Sequence, residues 1–233
     1  MDSNEILSHV VNKYSSCTSY FDAGTIVRSD RSTFTEFKTY FVAPKKFRLE
    51  WSVRKSHEDI GCNYAIGGNG NDFFWFEDEL KPIDDIERQL NGPGALQSYG
   101  LSLLLLPLLL HTTSYTSQLL KLSDVRIKSW SQSRDTVTLT GSASMTDDVE
   151  FTVCSRSFRL LSVREKFLVT ASQIRRDNSW YRHHVPLTID TILFHISLLP
   201  FLPQKDRQYS LETVFSSAQF GLALDEFMFG YSQ

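Results

Sequence analysis

Three sets of residues in the sequence have types and spacing that could support chemistry. The first is the loop Gly67 to Asp72, Gly-Gly-Asn-Gly-Asn-Asp, which matches one copy of the calcium-binding nonapeptide repeat. That repeat builds its sites between stacked copies, and one copy cannot supply the roughly six to eight oxygens that Ca²⁺ takes. Because glycine and asparagine tolerate positive φ angles, the segment predicts a hairpin loop.

The second set is the histidines and cysteines. His183 and His184 are adjacent in a strand-like segment. Their side chains would point to opposite faces and could not bind one metal ion side by side. Cys17, Cys62 and Cys154 are widely spaced and contain no CxxC pair, so neither a zinc site nor a disulfide framework is indicated. The sequence therefore predicts no metal site and no cofactor.

The third set is the possible nucleophiles and general acids. Ser102 follows Gly100-Leu101 but lacks the G-x-S-x-G pattern of a nucleophile elbow. Two acidic pairs, Asp84-Asp85 and Asp147-Asp148, fall in helix-start and turn contexts, where carboxylates accept hydrogen bonds from free backbone N–H groups. No catalytic residue is predicted, and we expect the protein not to be an enzyme. A hydrolase is the least favoured alternative.

Composition is that of a β-rich globular chain. Of the 233 residues, 41% are hydrophobic and 22% are charged, and the formal net charge is −3. A nucleic-acid-binding module usually has a basic excess, so nucleic acid is not an expected partner. The 17 Phe, 9 Tyr and 4 Trp residues favour strands and large apolar surfaces.

Apolar residues repeat along the sequence with two different spacings, one typical of a helix and one typical of a strand, and these spacings predict the elements that would position a site. Apolar residues recur at helical spacing from Glu5 to Tyr14, with Ser3 or Asn4 available as the N-cap. From Phe34 to Val42 and from Phe47 to Val53 the period changes to two, and the same alternation returns after Thr136. The pattern predicts an α+β fold, mainly antiparallel β, with one buried sheet face.

A leucine-rich segment lies between the two β-rich halves. Leu101 to Leu110 contains Pro107 and is apolar on all sides, so we expect it to cover the sheet. Its ten residues fall well short of the about 20 that a membrane-spanning helix needs, and no transmembrane segment is predicted.

The first strands and the leucine-rich segment resemble a known family. Two segments carry the resemblance: residues 20–24, Tyr-Phe-Asp-Ala-Gly, and residues 37–51, Phe-Lys-Thr-Tyr-Phe-Val-Ala-Pro-Lys-Lys-Phe-Arg-Leu-Glu-Trp. Both are similar to the opening hairpins of bacterial proteins related to the outer-membrane lipoprotein-sorting carrier LolA. One branch of that superfamily, composed of uncharacterised domains of unknown function, has a Y-x-D-x-G strand, a T-x-F strand ending in proline and an F-R-x-E strand. Leu103 to Leu110 resembles that branch's L-L-L-P helix.

The resemblance implies a curved antiparallel sheet, or incomplete β-barrel, with covering helices and an apolar cavity for acyl chains. It also implies non-catalytic binding of a lipid, an acyl chain or another hydrophobic small molecule, as a carrier or a sensor. An ordinary core filled by the chain's own side chains fits the same alternation. The candidate cavity residues are Phe37, Phe41, Phe47, Leu49, Trp51, Leu104, Leu105 and Leu108.

A second hypothesis belongs to a different functional class. It is a protein-interaction or sensor domain with a self-filled core, in which residues 203–233 dock a protein partner or a second copy. We predict one LolA-like domain over residues 1–233, with a core at 1–202 and a C-terminal extension at 203–233. The N-terminal residues lack the basic and apolar regions of a secretory signal. We therefore expect a cytoplasmic protein as written, and a periplasmic or exported one if the natural start lies upstream or the chain is mature.

Overall fold

The computed structural model describes residues 1–29, 34–54, 62–77, 79–84, 86, 105–111, 117–143, 146–169, 207–225 and 229. Within these residues eleven strands form one sheet in which every pair is antiparallel. The strands are β1 Ser19–Arg28, β2 Phe34–Val42, β3 Lys46–Arg54, β4 Cys62–Asn69, β5 Phe73–Phe76, β6 Leu80–Ile83, β7 Ser123–Ser131, β8 Thr136–Ala143, β9 Thr146–Cys154, β10 Leu160–Val169 and β11 Arg207–Phe220. The predicted mainly antiparallel α+β fold is confirmed.

The sheet consists of two meanders joined through its last strand. The spatial order is β6-β5-β4-β3-β2-β1-β11-β10-β9-β8-β7, so the sheet is open, with β6 and β7 at its edges. Strand β11 pairs with β1 on one side and with β10 on the other. The whole of this strand falls within residues 203–233, which the sequence predicted as a C-terminal extension. These residues supply the strand that joins the two halves.

The two faces of the sheet differ in polarity because the side-chain period of a strand is two. On β2, Thr35, Phe37, Thr39 and Phe41 are buried, and the residues between them are half-buried or exposed. We call the side of the sheet that bears Phe37 the apolar face and the opposite side the polar face. The apolar face contributes the strand residues of one continuous hydrophobic core that extends from Trp75 on β5 to Leu139 on β8.

Helix α1, Ser3–Ser15, lies on the apolar face. It begins with a capping box in which the Asp2 side chain accepts a hydrogen bond from the backbone N–H of Glu5 and the Glu5 side chain accepts one from the backbone N–H of Asp2. The helix is confirmed, but its N-cap is Asp2 and not Ser3 or Asn4, because only Asp2 stands three residues before the acidic partner. Ile6, Val10 and Tyr14 form its buried stripe.

A short leucine-rich helix and one 3₁₀ turn complete the described elements. Helix α2 spans Leu106–Leu110, has Pro107 in its first turn and packs against α1. It ends at His111, whose φ of 49° places the C-cap in the left-handed region. The 3₁₀ helix spans Gln118–Lys121. Among the described residues no helix has the length and apolarity needed to cross a lipid bilayer.

Candidate functional site

Most of the predicted cavity residues lie together in the structure. Those that the structure describes are all buried members of the one hydrophobic core, with relative exposures of 0–4%: Phe37, Phe41, Phe47, Leu49, Trp51, Leu105 and Leu108. The strand residues face the same side because β2 and β3 pair in register, Phe37 with Trp51 and Phe41 with Phe47. Leu104 lies outside the described residues.

An aromatic cluster extends this surface toward β4 and β5. The ring of Trp51 stacks on that of Tyr64, with a centroid distance of 5.6 Å, and meets the ring of Trp75 edge-on at 5.4 Å. Tyr64 is half-buried, so the cluster reaches the margin of the core. The indole nitrogen of Trp51 is buried and has no hydrogen-bond partner among the residues that the structure describes. Such a buried N–H donor is an uncommon feature, because most buried polar atoms are paired.

The leucine-rich helix α2 is buried on several sides. Leu106, Leu108 and Leu109 are at most 4% exposed, and Leu110 is partly buried against the same core. A helix that is apolar all round needs apolar neighbours on each side. Its packing against α1 provides one of them. The predicted covering role is therefore consistent with the burial of this helix.

A chain of buried polar groups crosses the apolar face between α1 and the sheet. The Tyr14 hydroxyl oxygen accepts a hydrogen bond from the Leu160 backbone N–H at 3.0 Å, and the Tyr14 and Tyr20 hydroxyls are hydrogen-bonded to each other. The Tyr20 hydroxyl donates to Asp22 Oδ2 at 2.6 Å. Burial raises the pKa of Asp22 to about 7, although hydrogen bonds from Tyr20 and Thr39 act in the opposite direction. The group joins α1 to β1, β2 and β10.

A second carboxyl group is buried on the apolar face. Glu165 on β10 is 8% exposed, opposite Val149 of β9 and Leu211 of β11. Burial alone raises the pKa of this carboxyl to about 7. The sequence does not single it out, because Glu165 lies in the charged run Arg164-Glu165-Lys166. Its position follows from the register with the neighbouring strands.

A cleft of about 540 Å³ opens on the polar face over strands β1 to β5. Two ion pairs border it: Arg48 Nη2 lies 2.6 Å from Glu50 Oε1, and Arg54 Nε lies 2.9 Å from Glu36 Oε2. The cleft also takes in Phe37 and Trp51 from the predicted set, but most of its lining belongs to the polar face. Sequence reasoning missed this cleft because charged residues on a strand are the ordinary sign of a solvated face.

Among the residues that the structure describes, those whose types could support chemistry do not assemble into a reaction centre. Gly70 to Asp72 forms the hairpin connection between β4 and β5, whereas Gly67 to Asn69, predicted as part of the loop, are the last residues of β4. The Asn69 side chain accepts hydrogen bonds from the backbone N–H groups of Asn71 and Asp72. No group of three potential metal ligands occurs among the described residues. His183 and His184 lie outside them. Burial raises the pKa of the Cys17 thiol to about 11, which keeps that thiol protonated.

The phenylalanines near the C-terminus take part in the core. Phe215 on β11 is 6% exposed, and its ring meets that of Phe37 edge-on at 5.7 Å. Phe220 is half-buried and contacts the rings of Tyr14 and Tyr20. Phe229 is 2% exposed.

Comparison with known proteins gives structural similarities only. No protein-family model and no curated protein sequence matches the chain. A domain from Vibrio parahaemolyticus described as an outer membrane lipoprotein-sorting protein is 11% identical, with 97% of this chain and 94% of that chain covered and a TM-score of 0.37. A DUF1329 family protein from Desulfovibrio piger is 10% identical, with 99% and 98% covered and a TM-score of 0.39.

A LolA superfamily protein from Nitrosomonas europaea is also 10% identical, with 99% of this chain and 98% of that chain covered and a TM-score of 0.33. These three structures match nearly the whole chain at 10–11% identity, and they include one LolA superfamily protein and one DUF1329 family protein.

Proposed function

We propose that the protein is a non-catalytic binder of a hydrophobic ligand, a lipid or an acyl chain, held against the apolar face between strands β3 to β5 and helix α2. The observation behind the proposal is the aromatic cluster of Trp51, Tyr64 and Trp75, in which the buried indole N–H of Trp51 has no acceptor in the described part of the chain. A ligand with an apolar body and one hydrogen-bond acceptor would satisfy both features.

The affinity of such a site would come mainly from apolar area. Each buried methylene contributes about 0.8 kcal/mol, so about ten of them can outweigh the cost of ordering a flexible chain. The candidate wall residues Phe37, Phe47 and Leu49 are rigidly placed by the paired strands. The outlying residues Tyr64 and Leu110 are only partly buried, and a ligand would enter beside them.

The first experiment is mass spectrometry of organic extracts of the purified protein, with native mass spectrometry of the same sample. A stoichiometric co-purified lipid would support the proposal. The matched variants are Trp51→Phe, which removes the buried indole N–H but keeps an aromatic ring, and Trp130→Phe, which makes the same change at an exposed site on β7. We expect the first variant to retain less lipid and the second to retain as much as the unchanged protein.

The outcome also decides between this proposal and the second hypothesis. Protein that contains no extractable lipid and takes up neither palmitate nor phosphatidylglycerol would contradict ligand binding. It would favour an interaction domain whose core is filled by its own side chains. The observation in favour of that alternative is the 0–4% exposure of the described candidate residues. The exposed Ile127 and Trp130 on the edge strand β7 would then be the first surface to test for a protein partner.

A further inference from the structure

The cleft on the polar face has a floor of small side chains. Two rows of paired residues cross this face: Ala23, Lys38, Glu50, Ala65 and Phe76 form one, and Thr25, Glu36, Ser52 and Asn63 form the other. Ala65 and Ser52 are short and are only 3% and 8% exposed, whereas the residues around them are long. The space above the short side chains is the cleft of about 540 Å³, which is a typical size for a small organic ligand.

The charges around the cleft leave one cation in excess. Arg48 is paired with Glu50, and Arg54 is paired with Glu36. The ammonium group of Lys38 is exposed, and among the described residues it forms no ion pair within 4.0 Å. Lysine ammonium groups bind carboxylates and phosphates as point charges. The cleft is therefore suited to an anion.

An independent feature of the same cleft is a buried hydroxyl. Ser52 lines the cleft, and its buried Oγ forms no hydrogen bond with any of the described residues. An unpaired buried hydroxyl is unfavourable unless another group supplies the missing hydrogen bond. Lys38 pairs with Glu50 on the neighbouring strand, and Ser52 lies two residues beyond Glu50 on the same face. A long lysine side chain can reach across this diagonal. Both groups can contact one acidic group.

The remaining wall of the cleft is apolar. Phe76 ends the first row, next to Ala65, and Ala23 lies at the other end of the row. The Phe76 ring beside Ala65 provides a surface for the apolar body of a ligand. The ammonium group of Lys38 toward one side and this aromatic ring at the other distinguish the cleft from a site for a bare inorganic ion.

We propose that the cleft on the polar face binds a small organic anion, with the acidic group on Lys38 and Ser52 and the apolar part against Phe76. This site is on the opposite side of the sheet from the proposed lipid site. The two proposals can therefore fail separately, because the residues tested for one do not include those tested for the other.

The test uses the full chain and two probes of the same shape, 2-naphthoate and the neutral 2-naphthamide, in isothermal titration calorimetry. We expect naphthoate to bind about tenfold more tightly than the amide, since a charge-assisted hydrogen bond is worth about one factor of ten or more. Lys38→Gln should lower the affinity for naphthoate about tenfold and leave that for naphthamide unchanged. Lys45→Gln, in the exposed turn before β3, is the matched control and should change neither.

A second variant tests the location independently of charge. Ala65→Leu places a larger side chain in the floor of the cleft and should abolish binding of both probes. Three results would overturn the proposal: no heat of binding with millimolar naphthoate, equal affinities for acid and amide, or an unchanged affinity for naphthoate in Lys38→Gln. Because Lys38 is exposed, its variant remains informative even if Ala65→Leu does not fold.

Discussion

The pH dependence of stability tests the buried polar chain most directly, and the variant to make is Asp22→Asn. Asp22 has no exposed surface, and burial raises its pKa from 3.8 to about 7. The folded state therefore holds a proton that the unfolded state releases above about pH 4. Stability must fall as the pH rises from about 4 to about 7 and then level off.

The size of the effect follows from the pKa difference. Each unit corresponds to about 1.4 kcal/mol, so the full loss for Asp22 is about 4 kcal/mol, and more than half of it falls between pH 5 and pH 8. Glu165, whose pKa rises from 4.5 to about 7, adds a loss of similar size and the same sign over this range. Asp22→Asn should remove about half of the slope that these two carboxyls produce, and Glu165→Gln should remove the other half.

The assay is urea unfolding followed by tryptophan fluorescence at pH 5, 6, 7 and 8. The slope of the unfolding free energy with pH is the readout, because the amide group introduced by Asp22→Asn does not titrate and adds the same cost at every pH. The double variant, in which both carboxyls are amides, should lose both contributions. A slope that Asp22→Asn leaves unchanged would refute the assignment of a neutral, buried Asp22 in the folded protein.

Other substitutions test the packing that places the site. Tyr14→Phe leaves the buried Leu160 N–H without its acceptor and should lower the free energy of unfolding in urea by about 1–3 kcal/mol; no loss would mean that water replaces the hydroxyl. Phe47→Ala, at a fully buried position, should cost about 3–5 kcal/mol in the same assay, and a cost below about 1 kcal/mol would contradict close packing there. Gly24→Ala should lower the melting temperature by several degrees, because a Cβ there would collide with the Val214 carbonyl oxygen and lie 2.6 Å from the Phe37 ring. Lys166→Ala breaks only an exposed ion pair, with Asp148 on the polar face, and should leave the free energy of unfolding almost unchanged, which makes it the control for the other three.

The sequence by itself determined the local elements and the polarity of the sheet. Alternation in Phe34–Val42 and Lys46–Arg54 is read directly from residue types, since a strand turns successive side chains to opposite faces. The helical spacing before Tyr14 likewise defined α1 and its buried stripe. These are short-range relations, and they placed the candidate residues of β2 and β3 on one face before any pairing was known.

Only the tertiary structure decided which strands meet. The residues after Pro203 gave a weak local signal, yet β11 is an interior strand of the sheet, and its position depends on pairing with β1, nearly two hundred residues earlier. The cleft on the polar face has the same origin, because Lys38, Ser52 and Phe76 are brought together by the register of four strands. The burial of Asp22 and Glu165 also depends on distant partners. Sequence patterns report the face of a side chain, but only pairing and packing decide its neighbours and its contact with water.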